Sequence, residues 1–352
     1  MTNLVQFPGL GLSFTINRVA FSIGDFAIYW YGILIGTGML LAMLYAFRMA
    51  PRLGINVDRM IDVIFIGAVM AVICARAYYV VFAPFKYTSF AQMLDIRDGG
   101  LAIYGGVLGA FIFGGLASKW RKVPILPMFD ITAIGFFIGQ AMGRWGNFVN
   151  QEAFGTNTTL PWGMISPQTT AYLASVQQTL AAQGVQVDPQ MPVHPTFLYE
   201  SIWCLVGFIG LALYLKHRHF NGEIALLYVF WYGTGRAWIE GLRTDSLYVT
   251  GSLRMSQLLA VISALAALIT WLYLRWVIYR KTPALGWVPA MAAEAPAGKA
   301  GQTGAEHPAE AAPEQPETES EQQQGTPPQT TGEEGLPQPQ GDVKEGEPHA
   351  EN

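Results

Sequence analysis

Seven apolar stretches, at residues 26–49, 61–82, 101–118, 125–143, 197–215, 224–242 and 256–279, constrain this 352-residue chain more than any other feature. Each is about 17 to 25 residues long, enough for an α-helix to cross a hydrocarbon core about 30 Å thick. The third and fourth are short and glycine-rich, and so are the least span-like. Only 13% of residues are charged against 51% hydrophobic, with a mean hydropathy of +0.29. That is about half the charge of a soluble globular chain. A soluble enzyme is disfavoured, and an all-α polytopic membrane protein with about seven transmembrane helices is expected. The first run starts late and lacks a basic leader and a small-residue cleavage site, so it reads as a retained helix and not a signal peptide.

Basic residues mark alternate connections. Arg48, Arg52 and Arg59 follow the first run, Lys119, Arg121 and Lys122 the third, Lys216 and Arg218 the fifth, and Arg275, Arg280 and Lys281 close the seventh. Because lysine and arginine are retained on the cytoplasmic side, the N-terminus is expected outside and the C-terminus in the cytoplasm. The resulting division is an external segment at 1–25, a seven-helix membrane domain at 26–282 with a small external head at about 144–196, and a cytoplasmic tail at 283–352. Residues 291–352 carry 13 of the 25 acids and two lysines, leaving residues 1–290 with a net charge of +7. The overall charge of −4 therefore describes neither part. Residues 291–352 are acidic, rich in proline and glycine and free of aromatic residues, a composition expected to stay disordered. Cys74 and Cys204 lie inside apolar runs and make neither a disulfide framework nor a metal-ligand spacing. No metal, cofactor or nucleic-acid partner is expected.

Polar residues where polarity is costly are the candidates for function. Arg76, Arg144, Glu152, Glu200, Arg236, Glu240 and Arg243 all fall toward the outer ends of their runs, which points to a polar site near the outer leaflet. The densest segment runs from Gly143 to Gly155 and combines Arg144, Asn147, Asn150 and Glu152 with glycines. A guanidinium holds a phosphate through two parallel donors, which suits a lipid headgroup, and the asparagine amides suit glycerol hydroxyls or ester carbonyls. On the sixth run Arg236 and Glu240 are spaced i, i+4 with Arg243 three further on, so all three are expected on one helix face. Taken alone, Arg144 also reads as an interfacial arginine reaching for headgroups, and Arg76 reads more readily as structural than as functional. His194 is either a structural hydrogen-bonding residue or a base. The glycine pairs at 32 and 36, within 99–109, and at 135, 139 and 143 are expected to let helices approach closely. Among the glycines of 99–109, Tyr104 is the one hydroxyl.

These blocks resemble the bacterial prolipoprotein diacylglyceryl transferases. The segment Gly143 to Gly155 resembles that family's signature, and Trp30-Tyr31-Gly32, Gly99 to Gly109, His194 to Glu200 and Arg236 to Arg243 follow in family order over most of residues 20–280. The resemblance implies transfer of the diacylglyceryl group of phosphatidylglycerol to the lipobox cysteine of a prolipoprotein signal peptide, giving a thioether and releasing glycerol phosphate at the outer face of the bacterial plasma (inner) membrane. It implies Arg144, Asn147, Arg236 and Gly155 for the lipid, with Tyr31, Asn147, Glu152, Arg236 and Glu240 as matching catalytic positions. Some members carry a histidine where Tyr104 stands, which leaves the group that deprotonates the thiol open.

The chemistry fits these residue types. Sulfur attack on the glycerol carbon makes phosphate the leaving group, and two arginines can stabilise charge that grows in the transition state. A thiol of pKa about 8.5 is only a few per cent thiolate near pH 7, so a base or a positive field would raise the nucleophile's concentration. Tyr104 would orient the thiol or the leaving phosphate, the arginine field would lower the thiol pKa, and Glu152 or His194 would accept the proton. The alternative is an anionic-lipid flippase or transporter, which should spread its polar residues across the full membrane depth.

Overall fold

The computed structural model describes residues 3–288 apart from 25, 84, 86, 97, 98, 183, 245–247, 251 and 252. The tail expected to be disordered lies, beyond residue 288, outside the described residues.

The chain opens with two antiparallel hairpins, β1 (Asn3–Phe7) with β2 (Leu12–Ile16) and β3 (Val19–Ile23) with β4 (Phe26–Tyr29). The expectation of a helix from residue 26 is corrected here. The upstream strand supplies hydrogen-bonding partners, pairing Ser22 with Ala27 and Phe21 with Ile28, so the helix begins only at Trp30. There follow α1 (Trp30–Met49), α2 (Val57–Val81), the short α3 (Phe90–Leu94), α4 (Ile103–Trp120), α5 (Ile125–Asn150), α6 (Pro167–Ala182), α7 (Thr196–Tyr214) and α8 (Glu223–Leu242). A third hairpin, β5 (Tyr248–Thr250) with β6 (Leu253–Arg254), leads into α9 (Met255–Tyr273), which continues as a π-helical turn to Ile278. The fold is mostly helical, but with three hairpins it is not all-α. Alternating strand residues in the connections were overshadowed in the sequence by the much longer apolar runs.

Each of the seven apolar runs forms a helix over most of its length, the first only from Trp30, and five helices are long and apolar enough to cross a membrane: α1, α2, α5, α7 extended to His217, and α9 extended to Ile278. The chain is thus a polytopic membrane protein. Glycine and a Lys-Trp end dilute the apolarity of the 18-residue α4, while α8 carries Glu223, Arg236 and Glu240. Asn56 caps α2 by accepting from the Arg59 amide at 3.0 Å, which satisfies one of the free donors of a first helical turn. The fifth helix runs to Asn150, seven residues past the apolar run, and stops where Gln151 turns left-handed at φ +55°.

One core joins the ends of α1, α2, α5, α7 and α8 through Ala50, Leu53, Ile55, Met60, Ile131 and Leu215. A second, smaller core gathers β1, α6 and the segments between them through Val5, Phe154, Met164, Leu173 and Val193. Gly105 and Gly109 lie against Cys74 and its neighbours where α4 crosses α2, the close approach expected of small residues. Gly139 likewise lets α1 come close, since a Cβ on Gly38 would lie 3.3 Å from its Cα, whereas at Gly32, Gly36 and Gly143 a Cβ would enter open space and the packing expectation is not met. Gly139 and Gly143 also line an apolar cavity of about 440 Å³ shared with Ile35, Met39 and Met43.

Candidate active site

Three helix ends meet at the site. Arg144 lies two turns from the end of α5, Glu200 in the second turn of α7, and Arg236 and Glu240 in the last two turns of α8. Antiparallel packing of α7 between its two neighbours brings these termini together. Glu200 is the joint: one carboxylate oxygen takes a close ion pair from Arg144 Nη2, and the other lies 3.5 Å from Arg236 Nη1. Arg236 Nη2 pairs with Glu240 Oε2 at 2.5 Å, and Glu240 Oε1 accepts from the Ser256 hydroxyl at 2.6 Å. On the other side, Arg144 Nη1 donates to Asn147 Oδ1 at 3.3 Å, and Asn147 Nδ2 donates to Glu152 Oε1 at 2.9 Å. Asn150 Nδ2 reaches the same Glu152 oxygen at 3.3 Å, while the Asn150 carbonyl accepts from Arg18 Nη2 at 2.7 Å.

Burial divides the roles. The side chains of Glu200 and Glu240 are each 3% exposed, whereas those of Arg144 and Arg236 keep 18% and 20%. The carboxylates sit behind and the guanidiniums face outward, so an incoming anion meets two braced cations with donors to spare. Each arginine has a carboxylate partner, because two bare cations this close and this buried would be too costly. Glu200, which carried no assigned role in the sequence, is the residue that connects the two blocks.

Tyr31 joins the cluster through glycine packing. Its ring lies over Gly146, where a Cβ would come within 2.6 Å of Cδ2, and it borders a groove of about 850 Å³ with Arg18, Asn150 and Glu152. Gly155 serves close backbone approach. Its amide donates to the His194 carbonyl at 2.9 Å, and a Cβ there would meet His194 and the Leu242 carbonyl. Tyr104 is not brought into the cluster; it is 65% exposed in the first turn of α4, and none of the described hydrogen bonds of the arginine network reaches it. Arg243 lies past the end of α8 in extended conformation, bridged to Gly155, so it does not share the helical face expected with Arg236 and Glu240. Arg76 is occupied by backbone: it donates to the carbonyls of Gln92, Met93, Gly99 and Gly100 at 2.8 to 3.2 Å. Its cation pins the connection that launches α4.

His194 is likewise committed. The Tyr199 hydroxyl accepts from Trp162 Nε1 at 2.8 Å and is hydrogen-bonded to His194 Nδ1 at 3.1 Å. Burial lowers the His194 pKa from its usual 6.5. The polar residues are also not confined to one end of the bundle. Buried Glu223 opens α8, and buried Asp130 of α5 reaches the same helix start, accepting from the Gly222 and Ala225 amides at 2.8 and 3.0 Å. These pairings cap a helix and involve none of the Arg144 cluster.

A helical membrane protein with paired arginines at converging helix ends, beside an apolar cavity that begins at Gly143, is built to hold an amphiphile with an anionic head. The family model for prolipoprotein diacylglyceryl transferases matches residues 18–273. A phosphatidylglycerol–prolipoprotein diacylglyceryl transferase of Clostridioides difficile is 40% identical over 260 residues, covering 74% of this chain and 96% of that protein. Its counterpart in Geobacillus kaustophilus is 39% identical over 277 residues, 78% of this chain and 96% of its own length, and one in Bacillus cereus is 43% identical over 249 residues, 70% and 87% respectively. The chain belongs to the prolipoprotein diacylglyceryl transferase family and is a transferase.

Proposed function

We propose that this chain moves the diacylglyceryl group of phosphatidylglycerol onto the lipobox cysteine of a prolipoprotein signal peptide. The observation that carries the reading is the pair Arg144 and Arg236, held together by Glu200 and open on their outer faces. The lipid phosphate binds the two guanidiniums, and one acyl chain enters the apolar cavity beside Gly143. The cysteine sulfur attacks the glycerol carbon, a carbon–sulfur bond forms as the carbon–oxygen bond breaks, and the electron pair leaves on glycerol phosphate. The arginines stabilise this growing charge without having to reorganise, since Glu200 and Glu240 fix them beforehand. Glu152, solvent-exposed and, among the described residues, held at its carboxylate by the Asn147 and Asn150 amides, is the group best placed in this cluster to take the thiol proton. Tyr104 acts only where substrate itself extends to the α4 end.

The same reading sets the protein in the bacterial inner membrane with seven spans, α4 and α8 completing the five strongly apolar helices. The N-terminus lies outside, the second core forms an external head, and the basic connections face the cytoplasm. The acidic stretch after Ala290 takes no part in catalysis.

The test incubates purified protein with phosphatidylglycerol labelled in its acyl chains and a lipobox-type peptide. Thioether-linked label on the peptide that is lost in Arg144→Ala is the expected result. Movement of lipid between leaflets with no covalent product would establish a flippase instead.

A further inference from the structure

Behind the signature segment lies a second, smaller cavity of about 110 Å³, bordered by Gln151, Glu152, Phe154, Gln168 and Thr244. Two of its residues are buried without partners. Gln151 is 1% exposed, and neither its amide oxygen nor its amide nitrogen makes a hydrogen bond among the described residues. The Thr244 hydroxyl, also buried, has none either. Leaving a buried amide unsatisfied costs more than a hydrogen bond gains, and Gln151 occupies a left-handed backbone position at φ +55° that glycine would fill more easily. A strained, buried, unpaired amide beside an unpaired hydroxyl calls for a ligand with both donors and acceptors.

We propose that this cavity is the subsite for the glycerol end of the lipid headgroup, and that Gln151 and Thr244 read its two hydroxyls. This rests on the transfer reading above. Glu152 borders both this cavity and the larger groove and is joined through Asn147 to Arg144, so a headgroup whose phosphate lies on the arginines continues toward Gln151. The volume suits a three-carbon polyol or about three to four waters at roughly 30 Å³ each. A primary amide offers two donors and an acceptor and a hydroxyl offers both, the complement of a vicinal diol. The pocket thus distinguishes a glycerol phosphate from a bare phosphate, which the arginines alone do not.

The experiment compares sn-glycerol 1-phosphate with inorganic phosphate as inhibitors of transfer by the purified full-length enzyme. Wild type is expected to be inhibited by glycerol phosphate at a concentration roughly tenfold lower, the scale of one or two net hydrogen bonds. Gln151→Gly, which removes the amide and relaxes the backbone, and Thr244→Val are each expected to narrow the preference to within about twofold while leaving inhibition by inorganic phosphate unchanged. Equal inhibition of wild type by both anions, or a preference retained in both variants, would mean that the pocket holds only water. Equal weakening toward both anions would mark Gln151 and Thr244 as structural and overturn the proposal. If wild type transfers no label, the transfer reading fails separately, and the same preference is then read from equilibrium binding of the two anions.

Discussion

Trp203 and Trp231 stack across the α7–α8 interface with ring centroids 4.5 Å apart and planes 19° apart, and each indole N–H donates to the other's backbone carbonyl, at 2.9 and 3.0 Å. This reciprocal clasp lies one turn from Glu200 on one helix and just over a turn from Arg236 on the other. Glycines make room for it: a Cβ on Gly207 would come within 2.7 Å of Trp231, and one on Gly235 would overlap Trp203. Gly207→Ala and Gly235→Ala are therefore expected to destabilise the protein by about 1 to 3 kcal/mol, the usual cost of overpacking. Thermal unfolding in detergent checks this. Transfer activity should fall further than stability, because separating α7 from α8 pulls Glu200 off Arg236.

Replacing Glu200 isolates the brace itself. Glu200→Ala leaves two partly buried arginines sharing less compensation, and breaking a buried pair costs about 3 to 5 kcal/mol. Glu200→Gln keeps the shape and one acceptor. It should fold while losing transfer by about 10² to 10³, the scale seen when a fixed charge-stabilising group is removed. Activity of Glu200→Gln within a factor of about three of wild type would discard the bracing role.

How much of this was readable beforehand differs residue by residue. Apolar length alone located every long helix, since a 20-residue apolar run has few other solutions. The strand at 26–29 was not readable, because its partner lies in the preceding hairpin and its residues are as apolar as the helix they precede. Arg144, Asn147 and Glu152 were legible as a unit through local spacing along one helix end. Glu200 was visible only as a costly carboxylate; its position between Arg144 and Arg236 depends on three helices meeting, which no single segment encodes. Tyr104 drew notice as an isolated hydroxyl among glycines, yet Gly105 and Gly109 serve the crossing with α2 and the tyrosine itself is exposed. Arg243 was misplaced for a related reason: a helix end is a backbone feature that residue type does not report.

The Tyr31–Gly146 contact predicts a steric phenotype. Gly146→Ala drives a methyl into the Tyr31 ring, displacing it from the groove it shares with Glu152. A loss of about 1 to 3 kcal/mol is expected, together with a rise in KM for lipid or peptide. The double variant Gly146→Ala with Tyr31→Ala should recover the stability and not the activity. Recovery of both would show that Tyr31 has no part in the reaction.

His194 supplies a pH signature. Burial lowers its pKa below the 6.5 of the free side chain, so below about pH 6.5 the unfolded chain takes up a proton that the folded one resists, and stability falls as pH falls. Wild type should therefore lose more thermal stability than His194→Gln between pH 7.5 and 5.5, a comparison in which the other titrating groups cancel; parallel curves would remove His194 from the account. The same commitment of Nδ1 bears on catalysis. A general base contributes about 10² to 10⁴ in rate, so His194→Gln should retain transfer to within about tenfold at pH 7.5, and a loss of 10² or more would make His194, and not Glu152, the proton acceptor.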